Sequence, residues 1–228
     1  MEVSTSGMNS ETSEKLVYLH QDEINRSSTY LYLKRAMDIV GALCGIILLS
    51  PIFLIVAIAI KIEDPKGAIF FKQTRVGKKE KAFKMYKFRS MVTDAEERLA
   101  ELRHKNEVSG AMFKMKDDPR ITKIGKFIRK TSIDELPQLI NVLKGEMSLV
   151  GPRPPLVNEV EIYTRYQKQR LLVTPGCTGL WQATVRNSVG FEEMVELDLE
   201  YIKNRSLIYD IHLILKTVCM IFKRNDAY

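Results

Sequence analysis

From Ile39 to Ile60 the chain runs for 22 residues without a charged side chain, and nearly all of them are apolar. As a straight helix this segment would extend about 33 Å at ~1.5 Å per residue, enough to cross a bilayer core of about 30 Å. Two features favour a hairpin-like, re-entrant helix that dips into one leaflet. Pro51 in mid-run lacks a backbone donor and kinks the helix, while Ser50 before it can satisfy the freed backbone groups. Both flanks are basic, Lys34 and Arg35 ahead and Lys61 behind, and such flanks stay on the cytoplasmic side. Asp38 stands at helical spacing from Lys34 and Arg35, which suits an ion pair at the membrane surface.

On either side of this run the pattern changes. Residues 1–30 begin with a Ser/Thr/Gly/Asn-rich tract that predicts a disordered extension, without the basic and apolar regions of a cleaved signal. Beyond the run, Gly67 to Phe71 and Ala82 to Phe88 read as short extended segments around a basic turn, Gly77-Lys78-Lys79-Glu80. Thr93 with Glu96 forms a capping box that opens a helix through Leu99 and Leu102. Phe191 to Asn204 reads as a helix, acidic on one face, with Met194, Leu197 and Tyr201 at core spacing. Ile211 to Phe222, bounded by Asp210 and Lys223-Arg224, is apolar but too short to span, so it belongs in the core or in the membrane interface.

Charge sharpens this picture. The 228 residues carry 35 Lys+Arg against 28 Asp+Glu, net +7, which implies an anionic partner. Ten basic residues face three acidic ones between Lys61 and Arg89, directly after the apolar run, as in a cytoplasmic juxtamembrane segment. Cys44, Cys177 and Cys219 are odd in number and form no CxxC, which argues against a disulfide framework or zinc site and for a reducing compartment. His20, His104 and His212 lack metal-ligand spacing, and neither a Walker A pattern nor a GxGxxG after a strand occurs.

Candidate chemistry concentrates between Arg129 and Pro154, RKTSIDELPQLINVLKGEMSLVGPRP. Adjacent carboxylates Asp134 and Glu135 lie between Arg129 and a Gly151-Pro152-Arg153-Pro154 turn whose prolines restrict the backbone around Arg153. Arginine forks grip phosphate oxygens, and a carboxylate beside them can act as nucleophile or magnesium ligand. The plain structural alternative is a capping box, Ser132 with Glu135, ahead of a helix whose start Pro137 marks. The two readings share one geometry, because a helix start offers free N–H groups to a side chain and to a bound phosphate alike.

KRAMD (Lys34 to Asp38), the apolar segment broken at Ser50-Pro51, FFKQTRVG (Phe70 to Gly77), YKFRSM (Tyr86 to Met91), the block Asp117 to Pro154 and TPGCTGLWQATVRN (Thr174 to Asn187) together resemble the bacterial sugar transferase family. Its members are monotopic phosphoglycosyl transferases, similar to undecaprenyl-phosphate galactose or glucose phosphotransferases. The resemblance implies an α/β, helix-dominated monotopic membrane protein, with a re-entrant helix over 31–61 and a small cytoplasmic catalytic domain with interfacial helices over 62–228. It implies transfer of a sugar 1-phosphate from a UDP-sugar to undecaprenyl phosphate with release of UMP, with Mg²⁺ or Mn²⁺ as cofactor. Asp134 would be the nucleophile, and Glu135 would position the metal that both carboxylates hold. Arg129, Arg153, Lys87 and Arg89 would bind phosphate. Arg186, Gly176 and Gly179 mark a nucleotide and sugar region, in which Val185 and Cys177 replace the more usual Gly and Ile. Lys34, Arg35, Asp38, Ser50 and Pro51 would anchor the protein in the bacterial inner membrane. Membrane lipids are implied as partners and nucleic acid is not, with a homodimer left open. The competing class is a basic, membrane-tethered binding or scaffold protein without catalysis, which composition alone allows.

Overall fold

The computed structural model describes residues 18–102, 104, 115, 117–185 and 189–222. Helix α1 (Gln21–Ile24) leads into α2 (Ser28–Glu63), a 36-residue helix opened by Ser27, whose hydroxyl accepts from the Tyr30 N–H at 3.3 Å. Strands β1 (Phe70–Val76) and β2 (Ala82–Phe88) pair antiparallel, Phe70 opposite Phe88. Three helices follow, α3 (Ala95–Leu102), α4 (Lys123–Lys130) and α5 (Gln138–Lys144). Strand β3 (Ser148–Val150), helix α6 (Val157–Glu161) and strand β4 (Gly176–Thr178) come next, β3 and β4 pairing in parallel, and helices α7 (Phe191–Asn204) and α8 (Leu207–Phe222) complete the helix-dominated α/β body.

Helix α2 buries only Asp38, Ala42, Val56 and Ile60, while Ile47 and Leu48 are 68% and 76% exposed. A contiguous apolar surface of this kind has no stable place in water, and with its length it accords with a monotopic membrane protein. Pro51 sits inside the helix, and Ser50 Oγ donates to the Ile47 carbonyl at 2.8 Å.

Several sequence expectations shift. Within the expected N-terminal extension, residues 1–17 lie outside the described residues. The remainder holds α1 and the start of α2, fixed in part by Arg205 Nη2, which donates to the Ile24 carbonyl at 2.6 Å. Asp38 does not pair with its helical neighbours; it accepts from Ser148 Oγ and the Leu149 N–H, both at 2.9 Å. Lys34 instead reaches Asp210 at 2.6 Å, and Arg35 caps α5 through the carbonyls of Val142 (2.6 Å) and Leu143 (2.8 Å). Strand β1 begins three residues later than expected and continues through polar residues, because seven paired positions with β2 stabilise it where apolar alternation is missing. Helix α7 has the expected bounds, but its core face is Val195, Asp198, Leu199 and Ile202 together with Tyr201. Asp198 can turn inward because Arg170 is buried against it. Helix α8 starts at Leu207, so Asp210 is no boundary: it is fully buried, bonded to Lys34 and to Tyr201 Oη (2.7 Å).

Candidate active site

Helix α4 starts at Thr122, whose hydroxyl accepts from the Gly125 N–H at 2.9 Å, and carries Arg129 in its last turn. The chain then turns sharply at Ser132, whose φ of 58° is left-handed, into a 3₁₀ turn, Ile133–Glu135, that delivers both carboxylates before Pro137 opens α5. The expected capping box does not form. Ser132 makes no cap hydrogen bond through its side chain, and Glu135 Oε1 instead accepts from Lys87 Nζ on β2 at 2.7 Å. A non-glycine residue in the left-handed region is strained, and here that turn brings Glu135 to a cleft with Asp134 buried beside it.

The opposite wall is the turn after β3. Gly151 N–H donates to the Thr178 carbonyl (2.8 Å) and Gly176 N–H to the Pro152 carbonyl (2.9 Å). A Cβ on Gly176 would lie 2.0 Å from the Gly151 nitrogen, so only glycine permits this approach. From the other side Arg75 Nη1 donates to the Pro154 carbonyl (3.1 Å), and Val76 N–H donates to the Pro155 carbonyl (2.9 Å). Arg153 is thus held on a pinned backbone, and its guanidinium makes no hydrogen bond with the described residues.

Asp134 is 8% exposed, and its pKa is raised to about 6. Burial is the main cause, Lys87 and Arg129 oppose it, and the charge of Glu135 adds to it. Burial pushes Glu135 up as well, but Lys87, Arg153 and Arg75 outweigh it and hold this carboxylate below its usual range. The pair is therefore split: Glu135 is firmly ionised, whereas Asp134 is a desolvated base poised near neutrality. Burial and the neighbouring Arg153 lower Arg75 to about 10. Among the described residues no three acidic, His or Cys side chains gather as a metal cage. Two adjacent carboxylates are nevertheless the donor set that suits a divalent cation whose remaining ligands are water and substrate phosphate.

Glu135, Lys87, Arg153 and Gly176 line one cleft, with Asp134 and Arg129 close enough to act on its charges. Arg129 Nε donates to Ser90 Oγ at 2.8 Å. The cleft encloses only ≈ 10 Å³, room for about one water, and the Lys87–Glu135 pair at 2.7 Å lies on its wall. Arg89 departs from expectation: beyond the end of β2 its guanidinium turns to Asp64 Oδ2 at 2.9 Å and fastens the end of α2. Gly179 serves close packing, since a Cβ there would meet the Gly151 carbonyl at 2.5 Å. Arg186 lies outside the described residues. Sequence reasoning missed Arg75, Gln138 and Gln182, which also line the cleft. Arg75 stands within FFKQTRVG, Gln138 within the Asp117 to Pro154 block and Gln182 within TPGCTGLWQATVRN, so the sequence marks the segments without singling out these residues. Gln182 Oε1 is buried without a hydrogen-bond partner among the described residues, an acceptor available to a substrate hydroxyl.

The sequence pattern of the bacterial sugar transferase family matches residues 29–224. The chain is 51% identical over 202 residues to the galactosyl transferase CpsE of Streptococcus agalactiae, covering 87% of this chain and 44% of that protein. It is 43% identical over 217 residues to the undecaprenyl-phosphate galactose phosphotransferase of Salmonella typhimurium, covering 93% and 45%. Against the exopolysaccharide production protein ExoY of Sinorhizobium fredii it is 39% identical over 199 residues, covering 86% and 88%. The chain thus spans under half the length of the first two relatives and most of the third. With a match that runs through the long apolar helix α2, both carboxylates and the Arg153 turn, the chain belongs to the bacterial sugar transferase family.

Proposed function

We propose that this chain transfers a sugar 1-phosphate from a UDP-sugar to undecaprenyl phosphate, releasing UMP and starting the assembly of an extracellular or capsular polysaccharide. The observation that carries this reading is Asp134, buried, raised to about 6, and set beside Lys87 and Arg129, with its neighbour Glu135 under the charge of Arg153. A basic binding protein has no use for a desolvated carboxylate beside phosphate-binding cations.

In the first displacement an Asp134 oxygen attacks the phosphorus next to the sugar. A P–O bond forms to Asp134, the bond to the bridging oxygen breaks, and its electron pair leaves with UMP. Lys87 and Arg153 neutralise charge on the diphosphate and on the leaving phosphate. In the second displacement the undecaprenyl phosphate oxygen attacks the same phosphorus and restores the free carboxylate. Splitting the transfer lets two large substrates use one site in turn. Mg²⁺, or Mn²⁺, held by Asp134 and Glu135, would supply Lewis-acid stabilisation of the phosphoryl oxygens. The acceptor's phosphate lies at headgroup level, so the reaction belongs at the cytoplasmic face of the bacterial plasma membrane. There α2 re-enters one leaflet, and α8 rests its exposed stripe of Ile208, Ile211, Leu215 and Val218 in the interface.

Incubation with a panel of UDP-sugars should produce UMP, and intact-protein mass spectrometry should find a phosphosugar adduct in wild type and none in Asp134→Asn. EDTA should suppress both signals. Turnover by Asp134→Asn near the wild-type rate would refute the nucleophile, and full activity in EDTA would refute the metal.

A further inference from the structure

A second cavity, much larger than the cleft of Glu135 and Arg153, lies at the amino-terminal end of α2. It measures ≈ 530 Å³, a size typical of small-ligand sites, and shares no lining residue with the cleft of Glu135 and Arg153. Its walls come from separate parts of the chain: α2 supplies Lys34 and Arg35, the β1–β2 turn supplies Lys78 and Lys79, and Arg205 follows α7. Asp38 is the one acidic lining residue, and its Oδ1 already accepts from Ser148 and Leu149.

These cations are not equivalent. Lys34 and Arg35 hold the fold, through Asp210 and through the end of α5. Arg205 is 5% exposed; Nη2 donates to the Ile24 carbonyl, but Nε is buried with no hydrogen-bond partner among the described residues. The Tyr30 hydroxyl on the same cavity is likewise buried and unpartnered there. A buried donor left unpaired is destabilising by about 1–3 kcal/mol, more when charged, and such groups persist where a ligand satisfies them. Lys78 and Lys79 form no ion pair among the described residues, and Glu80, the acid of their own turn, is drawn off to Lys168 at 3.2 Å. Lys79 and Glu80 have φ of 55° and 59°, a strained turn that keeps both lysines on the cavity side. Partial desolvation and the neighbouring charges of Arg205 and Lys79 lower the pKa of Lys78.

We infer that this cavity is a second, non-catalytic site for a phosphate-bearing anion, with Arg205 at its floor, the Tyr30 hydroxyl donating, and Lys78 and Lys79 at its mouth. An arginine with Nε free presents a donor edge suited to a phosphate, and the two lysines add charge without demanding geometry. The source is either a membrane phospholipid headgroup or a free phosphate compound. Leu31 lines the cavity and Tyr32 beside it is 76% exposed, giving an acyl chain an apolar way out. An occupant would tie the tip of the β1–β2 hairpin to the start of α2.

Two probes distinguish the sources, both applied to the full chain in detergent micelles: inorganic pyrophosphate by titration calorimetry, and dioleoyl-phosphatidylglycerol against dioleoyl-phosphatidylcholine by native mass spectrometry. One probe should bind saturably, tenfold or more weaker in Lys78→Ala/Lys79→Ala and in Arg205→Gln, but undiminished in Arg153→Ala. Pyrophosphate binding identifies a soluble ligand, and selective phosphatidylglycerol retention identifies a headgroup. The double lysine variant alters exposed side chains only, so the test does not depend on Arg205→Gln folding. Absence of saturable binding by either probe, or a loss that follows Arg153→Ala and not the lysines, overturns the inference.

Discussion

At the scale of single residues, the fold pays for keeping Asp134 ionised where water is scarce. The rise from 3.8 to about 6 amounts to about 3 kcal/mol of preference for the neutral acid, at the 1.36 kcal/mol that each pKa unit represents. Because the folded-state pKa is raised, this group favours folding below pH ~4, progressively loses that contribution as pH rises through about 6, and opposes nothing once it is replaced by a neutral amide. Asp134→Asn should therefore melt several degrees above wild type at pH 7.5, the difference vanishing near pH 4, while turnover is abolished. Equal melting temperatures at pH 7.5 would contradict the desolvated carboxylate. In wild type, kcat/KM should fall as pH drops through about 6, where the nucleophile is protonated. Arg153→Lys should reduce kcat about 10²-fold or more, since a point charge does not replace a planar fork held on a pinned turn. Asp134, Glu135, Arg129 and Arg153 stand out as candidates in the sequence because one local segment holds them all. The ion pair of Arg89 escapes the sequence for the complementary reason: its partner Asp64 lies 25 positions away, and no local pattern announces it.

At the scale of elements, the site depends on backbones approaching more closely than a side chain permits. Helix α4 lies so near the strand end that a Cβ on Gly125 would sit 2.0 Å from the Ser90 carbonyl oxygen. The same Ser90 accepts from Arg129, so Gly125→Ala should push α4 outward and release this arginine from its partner. We expect a loss of about 1–3 kcal/mol in unfolding free energy, on the scale of overpacking, and at least a tenfold fall in UMP release. Wild-type activity and stability in this variant would show that the contact is relieved without cost. The bounds of β2 and α7 could be read from apolar and acidic patterning, yet the rotation of α7 could not. Periodicity places Met194 and Leu197 inward, whereas the buried pair of Asp198 with Arg170 turns a neighbouring face to the core. Arg170 Nη2 also reaches the Arg153 carbonyl at 3.5 Å, so the misread helix supports the Arg153 turn.

For the molecule as a whole, the decisive constraint is that both ends of α2 are bound to one body. At its start are the Lys34–Asp210 pair, Arg35 on the end of α5 and Asp38 on β3; at its end, Glu63 accepts from the N–H groups of Lys123 (2.7 Å) and Ile124 (3.1 Å), and Arg89 holds Asp64. A spanning α2 would carry its first residues to the opposite face and strip Asp210 and Asp38 of partners while they remain buried, a loss of about 3–5 kcal/mol for each broken buried charge contact. Basic flanks and Pro51 suggest a re-entrant course from local pattern alone; the contacts that tie the start of α2 to the body, and so favour that course, come from residues more than 100 positions along the chain and leave no local signature. With Cys44, Cys177 and Cys219 replaced by serine, single cysteines at Tyr30 and Lys66 should both react with an impermeant thiol reagent only from the cytoplasmic side. Pro51→Ala alone should leave that labelling largely intact because the anchors persist. Combined with Asp210→Asn, which weakens the hold on Lys34, it should expose a measurable fraction of the Tyr30 cysteine to the periplasm. Periplasmic labelling at position 30 in the otherwise wild-type background would refute the re-entrant course, yet it would leave the chemistry at Asp134 standing, since a spanning helix can still carry the catalytic body on the cytoplasmic side.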